Sequence, residues 1–351
     1  MRLPDRKNAL VYALWGLGIV AAFGVFHAAW LTPFKERDFV ALWVAGKLAA
    51  AGHVAQIYDT PTFRLVGAPI AGSGVVKLAY PYPPHGLFIA IPLSYLPLSV
   101  SFVVWQAISA ALFYLGARPY CPAGFPKLLA LLTPAALINV LFGQIGLFVG
   151  ALWLFAFRGS ALATALLTLK PHLGVLAGVE TIKRRQILTT CGIALLILGA
   201  SVAVFGVSSW REWFIGAVLH QTATLTARNS GLWAHQMVTP FLAYGPIGWL
   251  LFAEAALILL LKRFDVFTAA TAAFLIAPYG FHYDLEVVCF GFGLLLFLRW
   301  SEMPAWQTFV CAIAYLLPLI VAFGSWIAPP VLLLGLFVQT RHKIAPVESV
   351  Q

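Results

Sequence analysis

Apolar residues run along this chain in long blocks separated by short polar joints, with approximate edges at 9–30, 83–97, 99–117, 127–141, 144–157, 160–179, 187–207, 238–261, 265–279, 284–300, 305–322 and 325–340. Each block predicts a membrane helix, about twelve spans in all. Several are shorter than the roughly 20 residues of a straight crossing, so tilted, broken or re-entrant helices are expected among them. Two longer stretches, 31–82 and 208–237, break the rhythm. Within them Phe39, Leu42, Trp43 and Gly46, and again Trp210, Trp213, Phe214 and Ala217, recur at helical spacing. This predicts two amphipathic helices lying in the membrane interface, with aromatic anchors at headgroup level. The run Tyr80-Pro81-Tyr82-Pro83-Pro84-His85 cannot continue a helix and predicts a rigid bend where the chain re-enters the membrane. Tyr80, Tyr82 and His85 are placed to line a groove there.

Composition agrees with the pattern. Hydrophobic residues make up 62% of 351 and charged residues 10%, and the mean hydropathy is +0.91. No soluble domain hides that much apolar surface, so the expected fold is all-α, a polytopic transmembrane bundle. It reads as a single domain over 1–343 with a short cytoplasmic tail at 344–351. The net charge of +10 is spread as small clusters between apolar blocks, which fits membrane topology and anionic lipid headgroups rather than nucleic acid. Arg2, Arg6 and Lys7 before the first block make an uncleaved signal anchor. With that end in the cytoplasm, parity brings Lys183-Arg184-Arg185, Lys262-Arg263, Arg299 and Arg341-His342-Lys343 to the same side. Arg118, Lys127 and Arg158 remain in short outer connections, and 118–158 is where a re-entrant pair would alter the count. Both termini are therefore expected in the cytoplasm and both long loops outside, in a membrane of the bacterial inner type. Four cysteines show no paired or metal-binding spacing.

The same parity collects Glu36, Arg37, Asp38, Asp59, Arg64, Lys77, His85, Arg211, His220, Arg228, His235, His282 and Asp284 on the outer face. Asp38 stands out, within the charged knot Lys35-Glu36-Arg37-Asp38 directly after the first block. A carboxylate at the bilayer edge is tunable as a proton acceptor; Asp at the head of a helix is equally suited to cap it or to pair with Arg37. Arg228 and His235 flank the turn Asn229-Ser230-Gly231, where a phosphate could be clamped. Lys170, beside Pro171 and His172, lies deep in an apolar block, so it requires an ion pair or a function. His282 and Asp284 bracket Tyr283 at an outer helix end and suit either a ligand or a cap. Gln144 is expected to bond between helices. His220, His235 and His282 lack metal-ligand spacing, so no metal and no cofactor is expected.

Asp38-Phe39, Ala45-Gly46 and Tyr58-Asp59, followed by Tyr80 to Pro84, Pro92-Leu93, Leu96-Pro97, Gly143-Gln144, Lys170-Pro171 and Pro278 to Tyr283, resemble the ordered motifs of glycosyltransferase family 87, over roughly 36–285. The chain departs from that pattern at Leu42-Trp43, where a tyrosine pair is common, and at Gly146, where an asparagine often follows. The end motif reads Gly280-Phe281-His282-Tyr283-Asp284 rather than Ser-Trp-x-His. The resemblance implies a GT-C-type membrane hexosyltransferase. It would move a sugar, mannose by resemblance alone, from a polyprenyl-phosphate-linked donor to a hydroxyl on a glycolipid or glycan of the cell envelope. Asp38 would be the general base of an inverting displacement. Lys170, Arg228, His235, His282, Tyr82 and His85 would hold the donor phosphate or sugar, with Arg37, Asp59 and Asp284 as secondary candidates. A multi-span transporter or flippase of lipid-linked sugars is the alternative, although no half-to-half symmetry supports it.

Overall fold

A computed structural model describes residues 33–344 except 73, 76, 77 and 222–235, together with Val20, Gly24, His27 and Leu31. The first expected span, 9–30, and the tail lie almost wholly outside the described residues. Among the described residues everything is helical or irregular, apart from one isolated antiparallel bridge between Met237 and Phe281. The main helices are α1 (Phe39–Ala50), α2 (Thr60–Ala71), α3 (Leu87–Ser94), α4 (Leu98–Ala117), α5 (Pro134–Phe142), α6 (Gly146–Ala156), α7 (Ala161–Leu166), α8 (Pro171–Lys183), α9 (Ile187–Phe205), α10 (Val207–Trp213), α11 (Pro240–Lys262), α12 (Val266–Ile276), α13 (Glu286–Arg299), α14 (Ala305–Ile320) and α15 (Ala328–Arg341). Among the described residues, three stretches are long and apolar enough to cross a membrane: Leu98–Tyr120, Ile187–Phe205 and Pro240–Lys262. Their outer faces carry side chains such as Leu188 and Leu261, 85% and 88% exposed. Apolar faces of that length are stable against lipid and not against water. The chain is a membrane protein.

The bundle has two chemically different ends. At one, Arg184 donates to the Phe157 carbonyl at 2.7 Å, Lys183 lies 4.5 Å over the Phe264 ring, and Arg263 reaches the Gln339 carbonyl at 3.2 Å. Tyr120 is within electrostatic range of Arg158 and Arg184. Arg158 and the Arg118–Tyr120 turn therefore belong to the same end as Lys183-Arg184-Arg185, which corrects their expected placement in outer connections. Lys127 follows them, since it acts on Cys121. The short-loop basic residues thus gather at one end more completely than parity suggested.

Two blocks account for the change. The block 83–97 does not cross. His85 at its start bonds Thr168 and Leu96 at its end accepts from Trp43 Nε1 at 3.0 Å. α4 then opens beside α1, with Phe102 packed 5.6 Å from Phe39. At eight residues α3 is only about 12 Å long, too short to leave that end. The block 160–179 instead enters and returns. Ser160 caps α7 by accepting from Ala163 N–H, three residues of 3₁₀ helix follow, and Lys170 leaves helical geometry at φ −133°, ψ 71°. Pro171 enforces that break by disfavouring helix in the residue before it, and α8 runs back to Arg184. Cysteines placed at positions 158 and 185 should label from the same side of sealed vesicles with an impermeant maleimide. Labelling from opposite sides would refute this arrangement.

The first long loop also differs from expectation. α1 is a helix, but Phe39 through Gly46, with Leu48 and Ala49, are buried, so it has no headgroup-facing side. Gly46 makes this possible: a Cβ there would lie 2.2 Å from the Ala90 carbonyl oxygen, so α1 and α3 touch backbone to backbone. The pattern was periodic because α1 packs, not because it floats. In the second loop α10 continues into a π-helix, Phe214–Gln221, that is only partly buried.

Candidate active site

Asp38 occupies the N-cap position of α1, yet its φ and ψ of −61° and −24° are helical and its side chain caps nothing. The carboxylate instead accepts a hydrogen bond from Gln144 Nε2 at 2.5 Å. Gln144 is presented by the turn between α5 and α6, where Gly143 takes the left-handed conformation, φ 72° and ψ 32°, that ends α5. A Cβ at Gly143 would also meet Phe39 and Phe102 at 2.6 and 2.7 Å. Glycine here lets the turn press against the head of α1. Asp38 is partly exposed but closely surrounded. Burial pushes its carboxyl up to about 6 from an ordinary 3.8, against the lowering effect of the Gln144 bond. Gln144→Leu should therefore raise the pH at which activity sets in by about one unit and lower the maximal rate roughly tenfold, since a bond to a charged group contributes ~1.5–3 kcal/mol. An unchanged pH–rate profile in that variant would show that the bond does not tune Asp38.

Lys170, expected to need a partner, has one. Its Nζ is 2.5 Å from Asp284 Oδ1, and the two side chains are 8% and 2% exposed. The ammonium also lies 5.1 Å over the Tyr283 ring. The pair ties the break between α7 and α8 to the 3₁₀ turn His282–Asp284. Asp38 and Asp284 both act electrostatically on Tyr82 and on Tyr283, so the carboxylate, the ion pair and the two phenols form one cluster. His172 joins its margin, 4.0 Å from the Tyr279 ring. His282 is buried, and burial holds its imidazole below the ordinary value and hence neutral at pH 7. Its Nδ1 faces the Gln236 carbonyl at 3.2 Å. A carbonyl only accepts, so Nδ1 carries the proton and Nε2 is left as an acceptor.

The remaining candidates sort clearly. His85 packs against Trp210, 5.8 Å between ring centroids, and meets Thr168 at 3.3 Å, next to the cluster. Asp59 is exposed and accepts from the Thr62 hydroxyl on its own helix, apart from the cluster. The Arg37 guanidinium lies over Phe34 and Phe102, at 4.6 and 4.7 Å. Arg228, His235 and Lys77 lie outside the described residues. An apolar pocket lined by Leu42, Tyr80, Tyr82, Trp105, Ile145 and Phe148, among others, adjoins the cluster. Leu42 is one turn along α1 from Asp38, and Ile145 follows Gln144.

Sequence reasoning missed the pair that holds these parts in register. Asn139 Nδ2 donates to the Tyr283 carbonyl at 2.6 Å and meets the Glu286 carboxyl, while its Oδ1 accepts from Gly146 N–H at 2.8 Å. One buried amide thus joins α5, the head of α6 and the Tyr283 turn. A Cβ at Gly146 would sit 2.3 Å from the Tyr283 oxygen and 2.8 Å from Asn139 Oδ1. No side chain fits at 146 without displacing the Tyr283 turn or the Asn139 amide. The available signal was two strongly polar residues, Asn139 and Glu286, inside apolar blocks.

A carboxylate at the edge of a cluster of phenols, a neutral histidine and a compensated ion pair can take a proton from a hydroxyl and orient polar substrate groups. No curated protein and no solved structure matches the chain. A family model described as glycosyltransferase family 87 matches residues 80–298. That range carries Tyr82, Gln144, Lys170, His282 and Asp284, whereas Asp38 reaches the cluster through the fold. With well over half of its length matched and most of its polar cluster drawn from the matched segments, this membrane-embedded chain belongs to glycosyltransferase family 87 and is a glycosyltransferase.

Proposed function

We propose that this glycosyltransferase moves a hexose, mannose in the first instance, from a polyprenyl-phosphate donor to a hydroxyl on a glycolipid or glycan, with inversion, and that Asp38 is the general base. The observation that carries the reading is the Asp38 carboxylate: held by Gln144, used among the described residues neither as a cap nor in an ion pair, and raised toward neutrality. A base must reach the acceptor hydroxyl while retaining a lone pair, and Asp38 meets both conditions. Inversion is favoured because a retaining displacement needs a second carboxylate about 5 Å away. The carboxylate sharing the cluster, Asp284, is committed to Lys170, and Asp59 is elsewhere.

The neutral His282, with Nε2 as acceptor, suits a sugar hydroxyl better than a phosphate. Lys170, already paired, contributes little free positive charge. Arg228 and His235, by the sequence pattern about Asn229-Ser230-Gly231, are the contacts proposed for the departing phosphate, and Tyr82 and His85, at the cluster, those for the donor. The basic end of the bundle, with both termini, faces the cytoplasm and the cluster faces the periplasm of a bacterial inner membrane. Twelve passes remain the count, with α7 and α8 taken as two short ones in place of the lost crossing at 83–97.

The test is transfer of label from radiolabelled polyprenyl-phospho-mannose to membrane lipids by purified protein in vesicles without an ion gradient. Transfer supports the donor class. Failure with this donor and with other polyprenyl-phosphate sugars sinks it, and transbilayer movement of the donor without transfer would favour a flippase.

A further inference from the structure

The tyrosines about Asp38 and the ion pair are of two kinds. The hydroxyls of Tyr58 and Tyr80 are sealed in the core without a hydrogen-bond partner. Those of Tyr82, Tyr279 and Tyr283 have no such partner among the described residues either, yet none of these three hydroxyls is sealed. Tyr279 has a companion. It and His172, at the head of α8, are both half-buried, and their rings meet at 4.0 Å between centroids. The imidazole likewise has no hydrogen-bond partner among the described residues and is not sealed. An unpartnered polar group that is neither buried nor freely solvated is placed to meet a ligand.

The pair is held firmly. Lys170 reaches Asp284 at 2.5 Å, so the segment that carries His172 and the segment that carries Tyr279 are joined twice, once by charge and once by stacked rings. Thr239 Oγ1 bonds the Pro278 carbonyl at 3.3 Å, and Met237 bridges Phe281, which braces the backbone on both sides of Tyr279. Electrostatics place the pair relative to the base. Asp284 acts on Tyr82, Tyr279 and Tyr283, whereas of these three Asp38 acts on Tyr82 and Tyr283 alone. Tyr279 and His172 therefore stand farther from the base than the other two phenols do.

We propose that Tyr279 and His172 determine sugar specificity by hydrogen-bonding a hydroxyl of the transferred sugar on the edge remote from its reacting carbon. This deepens the reading that transfer takes place beside Asp38, and rests on it. With the reacting carbon about 3.5 Å from an acceptor oxygen at Asp38, the other hydroxyls of the ring extend past Tyr82 and Tyr283 towards Tyr279. A phenol and a neutral imidazole both donate and accept, and so does a sugar hydroxyl. A phosphate diester only accepts and carries charge. The cluster sets two carboxylates, Asp38 and Asp284, against the Lys170 ammonium, so it has no net positive charge to hold a phosphate at this place. A site built to bond a hydroxyl discriminates against a sugar that points it elsewhere, because the site's own polar groups are then left unpaired. Held at two points, the pair has little freedom to follow a misplaced hydroxyl.

The experiment offers full-length protein in vesicles polyprenyl-phospho-mannose, -glucose or -galactose and measures kcat/KM for each. Mannose and galactose each differ from glucose in the direction of one hydroxyl. Wild type is compared with Tyr279→Phe, His172→Phe and Asp38→Asn. The two phenylalanine variants keep the stacked rings and lose only their polar atoms, so both should melt like wild type. Wild type is expected to prefer one sugar. Each phenylalanine variant should lose about tenfold on that sugar and much less on the others, so the preference narrows. Asp38→Asn should slow all three alike and leave the preference in place; full transfer by that variant would sink the reading of the base instead. An unchanged preference in both phenylalanine variants would overturn the inference. So would an equal loss on all three sugars, which is what a purely structural pair would give. Wild type that shows no preference, or transfers none of the three, would overturn it as well.

Discussion

Replacing Asp38 by asparagine is expected to lower sugar transfer by on the order of 10³-fold while leaving the protein folded. The substitution keeps the shape and the contact with Gln144 and removes only the ability to accept a proton. In wild type the rate should climb with pH through about 6, where the carboxyl gives up its proton, and level off above. The residual rate of Asp38→Asn should lack that limb. Stability moves the other way. A carboxyl raised from 3.8 to about 6 holds its proton more tightly folded than unfolded, so ionising it disfavours the fold as pH rises through that interval. Above pH 6 the asparagine variant escapes this cost, and its melting temperature should equal or slightly exceed that of wild type. Turnover near the wild-type rate, measured with the lipid-linked donor across pH 5 to 8, would remove Asp38 from the chemistry. A collapsed melting transition would show that its role is structural.

The second large effect concerns Lys170 and Asp284. Removing either partner leaves a buried charge uncompensated, and Lys170→Met or Asp284→Leu alone should destabilise the protein by about 3–5 kcal/mol. The double variant removes both charges and should recover much of that loss, because a buried ion pair contributes little net stability compared with apolar packing. Thermal or chemical unfolding of the four proteins completes the cycle. Single variants as stable as wild type would mean that water reaches the pair. Transfer should stay low in the double variant even as stability returns, since the Tyr283 turn that the pair holds also carries His282.

Most helix positions were legible because apolar blocks in lipid have few alternatives to helix. α4, α9, α11 and α13 to α15 fall within a few residues of the expected edges. What periodicity could not see was direction. A block of apolar residues reads alike whether it crosses, as α9 does, or turns back, as α7 and α8 do about Lys170. The only mark of the turn was Lys170-Pro171, noticed for its charge rather than for its geometry. α1 was misplaced for a related reason: spacing shows that one face matters, and Gly46, where α1 meets the backbone of α3, decides that all faces do. In the site, Asp38 and Lys170 were named from their cost in an apolar setting, Tyr82 from the proline run, and His282 and Asp284 from their place at an outer helix end. Their partners were not, because Gln144 reaches Asp38 and Asn139 reaches Glu286 across separations of 106 and 147 residues. Arg228 and His235 fall in a loop beyond the described residues.

The Lys170–Asp284 contact also sets a clock on biogenesis. The lysine is synthesised 114 residues before the aspartate that neutralises it, an interval on the order of 10 s at ordinary elongation rates. During that time the hairpin of α7 and α8 carries an uncompensated cation toward the bilayer, and it has reason to linger at the translocon or the interface until α12 and the His282–Asp284 turn emerge. The reaction centre is therefore closed late, after about four-fifths of the chain has been made, and a ribosome-bound intermediate truncated before that turn should hold α7 and α8 in a protease-accessible state.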